Sequence, residues 1–186
     1  MKVNEKYEFY QKMYFEENKR KETQNSKLAI IITIFSIVTA LINYNIVEYV
    51  KLVDVSKLEK NIFMHIIILC ILFYIVAFYF AVRAFTGYDY HYLPSANAIH
   101  EAYVKNEAYF KGYYEENKAY FESLNITVDN LREENMMETL ADLYREASTH
   151  NYLQNNIKIK YLRFCLWILG VLIMLSLTCG LIIKFI

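Results

Sequence analysis

Arg145 and His150, in the run Arg145-Glu-Ala-Ser-Thr-His150, are the residues whose types come closest to a catalytic pair. An imidazole exchanges protons near neutral pH, and a guanidinium holds negative charge that develops on an oxyanion. Five residues apart on a continuous helix, at ~100° per residue, the two side chains point roughly 140° apart, a poor placement for joint action within one chain. The same stretch continues with amides and a cation: Asn151, Gln154, Asn155 and Lys158. Such a polar run either bonds across a helical assembly, lines a wet space, or is a solvated face. A second polar row is Thr33, Ser36, Ala40 and Asn43, at i, i+3, i+7 and i+10. Small and hydroxyl residues at this spacing let helices approach closely, or line a narrow polar path.

Other chemistry is absent. The chain has no Gly-rich phosphate loop, no His-Glu-x-x-His, no Gly-x-Ser-x-Gly and no dinucleotide fingerprint. Cys70, Cys165 and Cys179 all fall in apolar stretches, with no C-x-x-C and no Cys/His zinc spacing, so they read as small packing residues. No metal and no cofactor are expected. Net charge is zero, with 20 basic and 20 acidic residues, so there is no global field to attract nucleic acid, and direct nucleic-acid binding is not expected.

The elements that must position these residues are set by three charge-free apolar stretches, 28–47, 62–82 and 164–183. Each is about twenty residues long, the length at which a helix crosses the ~30 Å hydrocarbon core. Four Gly and one Pro in 186 residues leave little material for turns or sheet edges, so helix is expected throughout. The charged stretch 1–27 is not expected to be a cleavable signal peptide, because the apolar run after it is full-length and lacks a small-residue cleavage site. An inside N-terminus puts sixteen Lys/Arg in the cytoplasm and four outside, and the opposite orientation reverses that ratio. The expected organisation is a cytosolic N-terminal helix 1–27, a first span 28–47, an external loop 48–61, a second span 62–82, a cytosolic helical module 83–163 and a third span within 164–186. The C-terminus is then external. Tyrosines gather at the span edges, as amphipathic rings do at headgroup depth, and His65 reads as an interface residue rather than a proton relay.

Within 83–163, Ser95 is a plausible N-cap for a helix running to about Leu124. The stretch 125–130 is a break, and Asn130 with Glu133 resembles a capping box for the next helix. From Leu131 there is neither Gly nor Pro until Gly170, so a single helix, on the order of 85 Å long, is expected to enter the third span. Met136, Met137, Leu140, Leu143, Tyr144 and Ala147 give that helix an apolar stripe. Tyr10–Lys19 echoes Tyr109–Lys118, a remnant duplication, two helices packing in similar ways, or coincidence. The fold class is therefore all-α: an integral membrane protein with three transmembrane helices and a cytosolic helical module whose last helix runs into the third span.

This layout resembles small membrane effectors of bacterial antiviral systems. It is similar to the SLATT class, although that class has two spans. Arg145 and His150 resemble the Arg-x4–6-His motif of HEPN ribonucleases, and of the HEPN-like membrane protein that accompanies the RNA-guided RNase of type VI-B CRISPR systems. Glu146 departs from the usual residue after the Arg. The resemblance implies a homo-oligomeric effector in the bacterial inner membrane, pore-like or membrane-perturbing, silent until infection. It further implies a functional link to an RNA-guided or signal-producing defence protein, in CRISPR or nucleotide-signalled defence. In that reading membrane lipid is a partner, Thr33, Ser36 and Asn43 line a conduit or contact another copy, and Asn151, Asn155 and Lys158 form its cytosolic mouth. Alternatives are a non-enzymatic anchor or adaptor that docks a cytosolic defence protein, and a membrane-tethered HEPN-like ribonuclease. A conventional secondary transporter is not expected, since there is no inverted repeat and no charge at mid-span.

Overall fold

The computed structural model describes residues 2–51 and 56–185. The described residues form six helices and no strand: α1 (Val3–Lys51), α2 (Lys57–Phe85), α3 (Ala96–Lys105), α4 (Glu107–Glu116), α5 (Lys118–Ser123) and α6 (Val128–Phe185). Helices α1, α2 and α6 are each long and apolar enough to cross a membrane. Both helices extend past the apolar stretches into the 48–61 segment, with α1 continuing to Lys51 and α2 beginning at Lys57; residues 52–55 lie outside the described residues. Ser56 starts α2 with a capping box: the Glu59 N–H donates to Ser56 Oγ at 3.3 Å, and the Ser56 N–H donates to Glu59 Oε2 at 3.1 Å.

Two local expectations are corrected. The helix from Ser95 is capped as expected, with the Ala98 N–H donating to Ser95 Oγ at 3.2 Å, but it does not reach Leu124. It divides into α3, α4 and α5 at Asn106 and Asn117, residues that favour caps over helix interiors. Asn117 also turns its Nδ2 back onto Tyr113 O at 3.0 Å. Helix α6 starts at Val128 rather than Leu131, because Thr127, not Asn130, supplies the cap. The Asn130 N–H donates to Thr127 Oγ1 at 3.2 Å, and the Thr127 N–H donates to Asn130 Oδ1 at 3.0 Å. Asn125 takes φ 56°, in the left-handed region that Asn tolerates better than most residues.

The chain divides into two compact units, one of Met1–Arg20 with Asp89–Gln154, the other of Lys21–Tyr88 with Asn155–Ile186. In the first unit the core is aromatic. Tyr144 of α6 meets Tyr14 and Tyr7 of α1 edge-on, with ring centroids 5.4 Å and 5.7 Å away. Lys6 pairs with Asp142 at 3.2 Å and Glu138 at 3.6 Å. Arg132 lies over the Tyr103 ring at 4.3 Å and reaches Glu107 and Asp129, each at 3.7 Å, which ties α3 and α4 to the start of α6.

In the second unit each long helix turns a seven-residue row inward. On α1 the buried row is Gln24, Ile31, Val38 and Asn45; on α2 it is Phe63, Cys70, Ala77 and Ala84, joined by Ala81. On α6 it is Asn155, Lys158, Leu162, Cys165, Leu169, Leu172, Ser176, Cys179 and Ile183, in strict alternation of three and four. A 3.5-residue recurrence keeps one seam facing its neighbours along a helix's length, as in left-handed coiled coils. The α2 row is mostly small, which lets helix backbones approach. Asn45 Nδ2 donates to Ser176 O at 2.9 Å, and Gly180 leaves room beside it: a Cβ there would lie 3.1 Å from Asn45 Oδ1.

Candidate functional site

The same three-four register also holds in the first unit, where α6 buries Ala141, Tyr144, Ser148 and Asn151. Asn151, fully buried, grips the backbone of the 89–93 segment. The His91 N–H donates to Asn151 Oδ1 at 2.9 Å, and Asn151 Nδ2 donates to His91 O at 3.0 Å. The His150 ring stacks on the His91 ring, centroids 3.7 Å apart and planes 6° from parallel. His150 Nε2 lies 2.7 Å from Asp89 O, so that nitrogen carries the proton. Arg145 is exposed and pairs with Asp142 at 3.4 Å. The structure thus gives Arg145 and His150 separate partners and does not bring them together.

Asn155 and Lys158 belong to the second unit. Asn155 is fully buried, and its carbonyl accepts from Gln24 Nε2 at 3.5 Å. Lys158 is 3% exposed; its ammonium donates to Asn25 Oδ1 and lies 5.2 Å from the Phe85 ring centroid and 5.7 Å from that of Tyr88. Among the described residues no carboxylate pairs with it. Burial, and then the nearby positive charge of Lys21, push the Lys158 ammonium below the ordinary lysine range. Asn151, Asn155 and Lys158, expected at a conduit's cytosolic mouth, are buried within the chain. All three side chains are enclosed by their own chain, because they occupy the packing register of α6 rather than an open face.

The lysine carries a pH prediction. Its folded-state pKa lies below the unfolded value near 10.5, so between those two values the unfolded chain binds more protons and stability rises with pH. Below that window the full penalty of the buried charge applies. Lys158→Met is expected to stabilise the protein at neutral pH by on the order of 1–2 kcal/mol. The variant's advantage over the native chain should shrink as pH is raised toward 10, in paired melting curves in detergent. An equal advantage at both pH values contradicts the assignment.

Thr33, Ser36 and Asn43 are exposed on α1, on the side away from the buried Ile31, Val38 and Asn45. The Thr33 hydroxyl donates to Ala29 O at 2.9 Å and the Ser36 hydroxyl to Ile32 O at 3.0 Å, so both are satisfied by their own helix. Asn43 has no hydrogen-bond partner among the described residues. It borders an open groove of about 270 Å³ with Thr39, Ile42, Ile46, Ile71 and Tyr74. His65 Nδ1 bonds Asn61 O within its own helix. Gln24, Asn45 and His91 were not singled out by sequence reasoning. The heptad spacing from Gln24 to Asn45 was the available signal for the first two, and His91 had none.

Fold and site together define a helical protein with three helices long and apolar enough to cross a membrane. No family model, curated protein or solved structure matches the chain.

Proposed function

We propose that this protein is a homo-oligomeric effector of the bacterial inner membrane, pore-like or membrane-perturbing, acting in antiviral defence. The observation that carries the oligomer is Asn43. Its carboxamide is exposed on a candidate span, beside a groove, with no partner among the described residues. A primary amide facing hydrocarbon is unfavourable, and a second copy or a water-filled conduit relieves it. Thr33 and Ser36 on the same face allow close approach of a neighbouring helix. The charge asymmetry supports an inside N-terminus, which puts the first unit in the cytosol, where a signal would arrive. The defence role rests on the resemblance of the layout to SLATT-like and HEPN-like membrane effectors.

Induction in cells is expected to depolarise the membrane, and purified protein to release ions or dye from proteoliposomes. Asn43→Leu should weaken assembly roughly tenfold and lower the flux with it. A monomer in tight liposomes overturns the proposal.

An adaptor role is the second reading, favoured by the open aromatic surface of the first unit. Tyr109 is 67% exposed and Tyr120 63% exposed, and the Tyr109 and Tyr113 rings stack in parallel at 6.3 Å. Capture of a stable cytosolic partner without any flux distinguishes it. The ribonuclease reading gains nothing from Arg145 and His150, which serve different partners.

A further inference from the structure

Just before the third apolar stretch, α6 carries cations with no carboxylate partner among the described residues. Glu146 is the last acidic residue, and 147–186 contains Lys158, Lys160, Arg163 and Lys184 without an Asp or Glu. Lys158 is buried inward, as described above. Lys160 and Arg163 face the other way, and among the described residues neither has a carboxylate partner. They fall at i and i+3 of a single face of α6, which continues at i+4 and i+7 with Phe164 and Trp167. Phe164 is 57% exposed and Trp167 70% exposed. With the edge of Ile168 these four border an open groove of about 570 Å³. Phe164 is held from behind by a stacked Phe80 ring, centroids 5.6 Å apart.

The order along the groove is what gives it a ligand. Two cations stand at the headgroup end and two large apolar rings stand below them, toward the hydrocarbon. A guanidinium binds a phosphate bidentately and an ammonium adds a point charge. Indole and phenyl faces suit the glycerol and upper acyl region. A soluble anion would use the cations and leave the rings exposed, whereas a phospholipid uses both. We infer that Lys160, Arg163, Phe164 and Trp167 form a binding site for one anionic phospholipid on the outer face of α6. The inference rests on the candidate spans and not on the proposed pore.

Trp167 is the only tryptophan in the chain, so it reports its own site. The full chain is reconstituted in vesicles of phosphatidylcholine in which a minor fraction is brominated phosphatidylglycerol or, in a parallel set, brominated phosphatidylcholine. Bromine quenches indole emission on contact. Each cation near an anionic surface is worth roughly fivefold in partitioning, so phosphatidylglycerol should be enriched at Trp167 by on the order of tenfold after screening. Lys160→Gln with Arg163→Gln should bring the two brominated lipids to equal quenching, with helicity and elution volume unchanged. Lys111→Gln with Lys118→Gln, in the first unit, should keep the preference. Equal quenching in the native chain overturns the inference. So does a preference that survives in the Lys160/Arg163 double variant, or one that soluble glycerophosphate abolishes.

Discussion

Ala77→Leu should be among the most damaging single substitutions in this protein, lowering stability by about 3 kcal/mol and broadening its elution in detergent. Ala77 is fully buried in the middle of the inward row of α2, flanked in register by Cys70 and Ala84 with Ala81 beside it. Lipid tails are as apolar as a leucine side chain, so burial gives these helices little reason to associate. Close van der Waals packing must hold them instead. A row of small side chains sets that distance, and an isobutyl group in it forces either the helix or its neighbours off their rotamers. The control is Val76→Leu, one position away but 42% exposed, which should be close to neutral. Equal effects of the two substitutions in thermal or SDS denaturation would mean that the small row is not the packing face.

Asn151→Ala should release the 89–93 segment. Its carboxamide accepts from the His91 N–H at 2.9 Å and donates to His91 O at 3.0 Å, from a position with no solvent access. Truncation removes both bonds and leaves two backbone groups short of partners, a loss of about 2–4 kcal/mol locally. Hydrogen exchange at the His91 amide reads that loss directly. Acceleration of roughly 30- to 1,000-fold is expected, together with faster proteolysis between α2 and α3. Gln154→Ala, which leaves the Asn151 bonds intact, should change His91 exchange little. If His91 exchanges at the native rate in Asn151→Ala, the carboxamide does not hold the segment.

The parts of the fold that composition controls were readable in advance. Three uninterrupted apolar runs gave the three long helices. The absence of Gly and Pro between Leu131 and Gly170 gave the continuous α6. The Ser95 cap was legible because a single side chain and a nearby N–H suffice for it. What failed is what tertiary context decides. Glu-Glu-Asn-Lys occurs at 16–19 and again at 115–118; the first copy lies inside α1, and the second straddles the break between α4 and α5. Asparagine favours a cap at both places, and packing decides whether that preference is realised. The echo between the two segments is therefore not structural equivalence, since Tyr14 is buried at 6% exposure and its counterpart Tyr113 is 44% exposed.

The polar residues of α6 leave three readings open in the sequence: bonds across a helical assembly, a wet space or a solvated face. Ser148, Asn151, Asn155 and Lys158 occupy the inward register that Leu162, Leu169 and Leu172 continue. Apolar periodicity stops where these polar residues begin, so it does not by itself show that the seam continues. Spacing alone, three then four, would have kept it closed. Thr33, Ser36 and Asn43 lie on the opposite side of the problem. They are off the register of Ile31, Val38 and Asn45, and the chain leaves them exposed.

That exposed face makes assembly the central claim, and the mass of the complex tests it most directly. The full chain, extracted in mild detergent and measured by light scattering with the detergent contribution subtracted, should give a protein mass several times the 22.2 kDa of one chain. Asn43→Leu should shift that mass toward the single-chain value. A native protein of 22.2 kDa across the concentration range would contradict the account.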